Sequence, residues 1–123
     1  AQPMFLPKGT IPQVEHYGIM EPEVPFPKNP QGGTNTAFLD MIGLYDRIYV
    51  AGEAKSHCVL ETMRQILKYF SGQPDVVKKI HFLTDCTSSV AHPAIDFETL
   101  ARAELKKMEK QGVVMVTSSD PLK

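Results

Sequence analysis

A cysteine that follows an apolar run is the residue of this sequence best suited to covalent chemistry. Residues 47–51 form a β-rich run that ends in Gly52, and Cys58 lies shortly after it, at the start of a helical pattern. Unpaired amides and the helix dipole in the first turn of a helix favour a thiolate and can hold an oxyanion. Cys58 is therefore a candidate nucleophile. From the residues alone, a small buried core residue is an equally supported interpretation.

The histidines add no second reactive group. His57 adjoins Cys58, and its side chain either lines the same pocket or faces away from it. His81 lies in an apolar run and is expected to pack, while His16 and His92 lie in loops without ligand spacing. A zinc site is therefore not predicted.

Asp85 and Cys86 follow the second apolar run. Hydrogen bonding to neighbouring loop amides is the expected role of Asp85, rather than general base catalysis. Core or loop packing is the expected role of Cys86.

The elements around these residues alternate between helical and β-type patterns. A helix capped by Thr34 or Asn35 runs to about residue 44, and Cys58 lies near the start of a second helix. The predicted order is helix 34–44, strand 47–51, helix 56–70, strand 80–84, polar loop 85–93, helix 95–111 and strand 113–117. Such alternation predicts an α/β fold, a parallel sheet with helices on both faces. Ligands of such sheets bind beyond the carboxyl ends of the strands, where Cys58 would lie.

Proline dominates the first part of the chain. Seven of the ten prolines fall within residues 1–33, which predicts a long, mostly extended loop region with a short turn or helix at 14–17. Long segments of this kind are typically functional loops, or segments whose packing partner lies elsewhere.

Composition excludes several classes of function. The 123 residues suit one domain, and 13 Lys and Arg against 14 Asp and Glu give a net charge of −1, so no nucleic-acid partner is predicted. No apolar run approaches a membrane span and no signal peptide is visible, so no membrane partner is predicted. Two cysteines indicate a reduced, cytoplasmic protein.

The segment around Cys58 resembles a known family. Residues 48–59, with Thr62 one turn later, resemble the nucleophile segment of the isochorismatase-like cysteine hydrolases, with nicotinamidase as the nearest activity. Segments 7–10 and 15–17 resemble the family's Lys-Gly segment and the Tyr that follows it. Segment 82–89 resembles its later strand-then-Asp segment. The resemblance spans residues 4–117 and implies a Rossmann-like three-layer fold.

The resemblance also implies roles for individual residues. Cys58 would be the nucleophile and Lys8 the cation that stabilises its thiolate. The amides of Ala54 and Cys58 would form the oxyanion hole, and a cis peptide bond would precede Ala54. Substrate contacts are implied for three residues: Glu53, His57 and Tyr17.

Only the C-terminal half of the family's domain is matched. The family's catalytic Asp precedes the Lys, and no residue before Lys8 serves that role. Metal-bearing members take their ligands from the same preceding half. The segment itself is therefore expected to hold no cofactor, while zinc, iron or manganese would bind through that half. Residues 1–123 are predicted to be the C-terminal part of one hydrolase domain, with residues 1–33 as its active-site loop region. The expected macromolecular partner is the N-terminal half of the same protein or a second copy.

Three positions depart from the family pattern. Gly18 replaces a frequent Ser, and Lys55 and Ser56 replace the Thr and Asp common in nicotinamidases. These changes are expected to border the substrate pocket.

The predicted function is hydrolysis of a small linear amide, similar to nicotinamide, through a thioester on Cys58. Two alternatives remain open at this point. One is a non-catalytic binding or assembly module of the same fold, and the other is a thiol redox sensor that uses Cys58 and Cys86.

Overall fold

Three parallel strands alternate with helices through most of the chain. The structure, a computed structural model, describes residues 3–9, 15–26 and 33–121. The elements are α1 (Thr36–Ile42), β1 (Ile48–Glu53), a π-helical turn (Lys55–Val59), α2 (Leu60–Tyr69), α3 (Pro74–Val77), β2 (Ile80–Ser88), α4 (Phe97–Gln111) and β3 (Val114–Val116). The predicted alternation is confirmed, and α3 is an additional short helix that the pattern did not predict.

The sheet has the order β1-β2-β3, with both neighbouring pairs parallel. Ile48 pairs with Ile80, and His81 pairs with Val114. The α/β class with a parallel sheet is therefore confirmed.

Both long helices pack on the same face of this sheet. One core joins strand residues with side chains of α2 and α4: Ile80, Phe82, Met63, Ile66, Leu105 and Met108. The two β-α-β crossovers have the same handedness, and each adds the next strand on the same side of the previous one. Their helices therefore lie on the same face of the sheet. The prediction of helices on both faces is therefore wrong for the part of the chain that the structure describes.

The opposite face of the sheet is partly open. A cavity of about 720 Å³ lies on it, and nine residues line this cavity: Tyr49, His81, Leu83, Val114, Val116, Thr117, Ser118, Asp120 and Pro121. The rings of Tyr49 and His81 are in contact, with centroids 5.0 Å apart. Within the described residues, this apolar surface has no helix packed on it.

Strand β2 is longer than its pattern predicted. Its pairing with β1 jumps from Val50–Phe82 to Gly52–Thr87, so β2 bulges between Phe82 and Thr87. The Thr87 hydroxyl spans the bulge by donating to the Leu83 carbonyl at 3.5 Å. The predicted polar loop 85–93 is therefore wrong for residues 85–88, which belong to the strand.

The helix ends follow local chemistry. Asn35 caps α1 by accepting from the Phe38 amide at 3.2 Å, and Asp96 caps α4 by accepting from the Thr99 amide at 3.1 Å. Gly112, with φ of 120°, ends α4. No helix in residues 3–9, 15–26 or 33–121 is long and apolar enough to cross a membrane.

Candidate active site

Cys58 lies in the π-helical turn that directly follows β1. The carbonyl of Ala54 accepts hydrogen bonds from the amides of His57 at 3.0 Å and Val59 at 3.1 Å. The amide of Cys58, which lies between them in the sequence, does not donate to this carbonyl. Single π turns are frequent at functional sites. The Glu53–Ala54 peptide bond is cis, which confirms the expectation from the resemblance.

One cavity brings Cys58 together with two other predicted site residues. Cys58, Lys8 and Glu53 line a space of about 410 Å³ at the carboxyl end of β1. Its other walls are mostly apolar: Leu6, Ile19, Val50, Ala51, Val59 and Thr62. A half-buried cysteine, a lysine and a glutamate therefore line one small space.

Lys8 reaches this cavity from residues 1–33, the Pro-rich segment. Its ammonium donates to the Tyr17 carbonyl at 2.5 Å, and the lysine is exposed. No hydrogen bond joins the ammonium to the Cys58 sulfur in this structure. Tyr17 thus contributes its backbone to the positioning of Lys8, and its exposed ring does not line the cavity.

The segment that carries Tyr17 is fastened to α2 by hydrogen bonds. The Ile19 amide donates to the Thr62 hydroxyl at 3.1 Å. The side-chain oxygen of buried Gln65 accepts from the Met20 amide at 2.9 Å and the Glu21 amide at 3.2 Å, and its nitrogen donates to the Glu21 carbonyl. Residues 15–26 form no helix or strand, which agrees with the predicted loop region, and residues 15–17 of the predicted turn or helix are not helical. Residues 10–14 and 27–32 of this loop region, including part of the predicted turn at 14–17, lie outside the described residues.

Gly18 has a steric reason for its identity. A Cβ atom at this position would lie 2.5 Å from the Gln65 side-chain oxygen. The Ser of the resembled pattern would therefore fit here only if the Gln65 side chain moved. An exposed ion pair of Lys68 with Glu21, at 2.9 Å, adds a further link. Burial raises the pKa of Glu21, but hydrogen bonds from Lys68 and Thr34 lower it more, so the net shift is downward.

Glu53 is held at the mouth of the cavity by β2. The Ser88 hydroxyl donates to its carboxylate at 2.6 Å. Because Glu53 and Ser88 are register partners at the carboxyl ends of β1 and β2, the strand pairing fixes this contact. The carboxylate can accept a hydrogen bond from a ligand beside Cys58.

His57 is packed on the first residue of α4. Its ring meets that of Phe97 with centroids 4.7 Å apart, and its Nδ1 lies 2.7 Å from the Ser56 hydroxyl oxygen. Neither His57 nor Ser56 lines the cavity of Cys58. The structure therefore places the ring of His57 against Phe97 instead of in the cavity.

Lys55 does not line the cavity of Cys58, contrary to the expectation that it borders the substrate pocket, and its burial in an ion pair was not predicted. It is only 7% exposed, and its ammonium forms an ion pair with Glu98 in the first turn of α4. Burial raises the pKa of Glu98, but the hydrogen bonds and charges of Lys55 and Arg102 together lower it more, for a net downward shift. Lys55 lines a different cavity, of about 470 Å³, together with Asp85 and Arg102. No local pattern reveals this pair, because Glu98 lies far along the chain.

Asp85 and Cys86 lie on the bulge of β2. The Asp85 carboxylate accepts from the Ser118 hydroxyl at 2.5 Å and the Ser118 amide at 2.9 Å, and these bonds lower the pKa of Asp85. The prediction that Asp85 bonds to loop amides is confirmed. Cys86 is exposed and its thiol donates to Asp85 at 3.6 Å, while Cys58 is half-buried; both thiols are free.

In the described ranges, no group of three or more His, Cys, Asp or Glu side chains is arranged to hold a metal ion. No protein-family model matches the chain, and no curated protein matches it significantly.

Proposed function

We propose that this protein is a cysteine amidohydrolase that cleaves a small linear amide through a thioester on Cys58. The observation that carries the proposal is the shared cavity of Cys58, Lys8 and Glu53 at the carboxyl end of β1. Parallel sheets bind ligands at this end, and a nucleophile needs a positioned cation or donor beside it. The resemblance of residues 48–59 to the isochorismatase-like hydrolases supports the same chemistry.

The reaction has two steps. The thiolate of Cys58 attacks the amide carbonyl, a carbon–sulfur bond forms, and the carbonyl oxygen becomes an oxyanion held by the amides of Ala54 and Cys58. The intermediate collapses, the carbon–nitrogen bond breaks, and ammonia or an amine leaves with an added proton. Water then attacks the thioester, which releases the carboxylic acid and restores the thiol.

Lys8 and Glu53 complete the proposed site. The ammonium of Lys8 stabilises the thiolate and the oxyanion through its positive charge. The carboxylate of Glu53 accepts a hydrogen bond from the N–H of the substrate amide and so orients its carbonyl towards the sulfur. By resemblance, an Asp that precedes the Lys in the family supplies the proton for the leaving group.

The cavity favours a compact substrate. A volume of about 410 Å³ with mainly apolar walls suits a small flat amide of the size of nicotinamide. Cofactor chemistry is not needed for these steps, and by resemblance a zinc, iron or manganese ion would be bound by residues that precede Lys8 in the family.

Ammonia release from nicotinamide and a panel of small amides tests the proposal in the intact protein. Turnover that disappears in Cys58→Ala is the expected result. An aryl acetate with a phenolate leaving group serves as a second substrate, because that group leaves without a protonating acid. It should acetylate Cys58, with phenolate released. Absence of Cys58 acylation by the aryl acetate, or amide turnover that survives Cys58→Ala, would contradict the proposal.

A binding or assembly module is the second candidate, and the open sheet face favours it. Tyr49 and Val114 on that face are 39% and 37% exposed, which is high for large apolar side chains in a sheet. The partner would be an N-terminal half of the same protein or a second copy. Sedimentation of the intact protein tests this candidate: self-association that Val114→Glu abolishes is expected, and a monomer at all concentrations contradicts a second copy as the partner.

A further inference from the structure

The turn that carries Cys58 is joined to α4 and its preceding loop by three contacts. Lys55 forms its ion pair with Glu98, the Val90 amide donates to the Ser56 hydroxyl at 2.9 Å, and the ring of His57 packs on Phe97. Three consecutive residues before the nucleophile are thus held by one external segment, residues 90–98. None of the three lines the cavity of Cys58.

Of these three contacts, the ion pair of Lys55 is the one that burial makes necessary. It is 7% exposed, and a buried ammonium is tolerated only when it is paired. Glu98 is less dependent on the pair, because its side chain is 35% exposed and it also accepts from Arg102 and Ser89, each at 3.4 Å. The pair therefore fixes the backbone of the turn, since Lys55 has one charged partner and little access to water.

We propose that Lys55 is a positioning residue for Cys58: its buried ion pair with Glu98 holds the π-helical turn so that the thiol and the Ala54 and Cys58 amides keep their places. The effect of this positioning on catalysis rests on the proposed function. Lys55 acts through the backbone of residues 54–58 and does not touch the substrate. The role also explains why a lysine replaces the Thr of the resembled pattern without lining the substrate cavity.

The rate of alkylation of each cysteine in the full chain tests the proposal, with iodoacetamide as the probe and peptide mapping across a range of pH. Lys55→Met and Glu98→Gln should slow labelling of Cys58 by about tenfold or more, the scale on which small misplacements of a reacting group act. Glu98→Gln should have the larger effect, because it strands a buried ammonium. Labelling of exposed Cys86 should not change.

Arg64→Met is the matched control. Arg64 on α2 also pairs with α4, through Glu104 at 3.7 Å, but its side chain is 45% exposed. Labelling of Cys58 in this variant should equal that of the wild type. An equal loss of Cys58 labelling in Arg64→Met and Lys55→Met would overturn the proposal. Weakening any contact with α4 would then be enough to slow the labelling of Cys58.

A double variant distinguishes a loss of positioning from a loss of folding. Lys55→Met with Glu98→Met replaces the ion pair by apolar side chains, which proteins often accept without loss of stability. If this variant melts like the wild type, slow labelling of Cys58 supports positioning, and wild-type labelling with an unchanged pH profile overturns it.

Amide turnover separates this inference from the proposed function. In Lys55→Met, kcat should fall while KM stays unchanged, because Lys55 does not line the substrate cavity. If no amide is turned over by the wild type but the labelling results hold, the proposed function fails and the positioning role stands. If the wild type is active and Lys55→Met labels normally, the positioning role fails alone.

Discussion

The carboxyl ends of β1 and β2 each carry a cysteine, and the two strand ends differ in how the backbone leaves the sheet. Strand β1 leads into the π-helical turn, so half-buried Cys58 lies in that turn and lines the same cavity as Lys8. Strand β2 bulges before its end, so Cys86 is exposed and has the carboxylate of Asp85 at 3.6 Å.

This difference shows that exposure and reactivity need not coincide. Positive charge and free amide donors favour a thiolate, whereas an adjacent carboxylate disfavours it. On this basis we expect the less exposed thiol to be the better nucleophile.

Removal of the thiols should give the largest contrast. Cys58→Ala should reduce amide turnover by on the order of 10⁴-fold or more, because covalent catalysis is lost altogether. Cys86→Ala should leave turnover unchanged. Steady-state ammonia release from the intact protein measures both, and a comparable loss in the two variants would remove the distinction between the strand ends.

Loss of the cation should have the next largest effect. Lys8→Ala should slow turnover by on the order of 10²-fold, as for other positioned catalytic groups. Lys68→Ala is the control, since Lys68 also contacts the Pro-rich segment, through Glu21, but does not line the cavity. Turnover in Lys68→Ala should remain near that of the wild type. Equal activity of Lys8→Ala and wild type would show that Lys8 has no catalytic role.

The docking of the Pro-rich segment should be sensitive to Gly18. Gly18→Ala places a Cβ against buried Gln65, whose displacement costs its hydrogen bonds to the segment, so the variant should lose about 1–3 kcal/mol of unfolding free energy. Gly33→Ala is the matched control, because a Cβ there meets nothing within 4 Å. Urea unfolding measures both. A Gly18→Ala variant as stable as Gly33→Ala would show that Gln65 moves away without cost.

The smallest effect concerns the second cysteine. Asp85→Asn should speed alkylation of Cys86 severalfold at neutral pH, because it removes the negative charge beside that thiol. Labelling of Cys58 in the same sample is the internal control and should not change. An unchanged rate at Cys86 would mean that Asp85, engaged by Ser118, does not influence the neighbouring sulfur.

The sequence predicted the elements with strong periodicity and the chemistry carried by adjacent residues. The alternation of strands and helices and the location of Cys58 just beyond β1 follow from local patterns, because residues close in sequence decide them. The resemblance also implied the cis bond before Ala54, which the structure contains.

What the sequence did not predict depends on residues far apart. Lys55 is a charged residue at a turn, where exposure is the usual outcome, and its burial depends on Glu98 in α4. The bulge of β2 depends on how Thr87 pairs with Gly52 of β1. Crossover direction, which periodicity does not encode, decides that α2 and α4 share one face.

The direct test of the nucleophile assignment is the pH dependence of iodoacetamide labelling at the two cysteines of the wild-type chain, followed peptide by peptide. It requires neither a known substrate nor a catalytic acid. We expect Cys58 to react faster than Cys86 at neutral pH and to keep its advantage as the pH is lowered, despite its lower exposure. Faster labelling of Cys86, or rates that simply follow exposure at every pH, would contradict the nucleophile assignment.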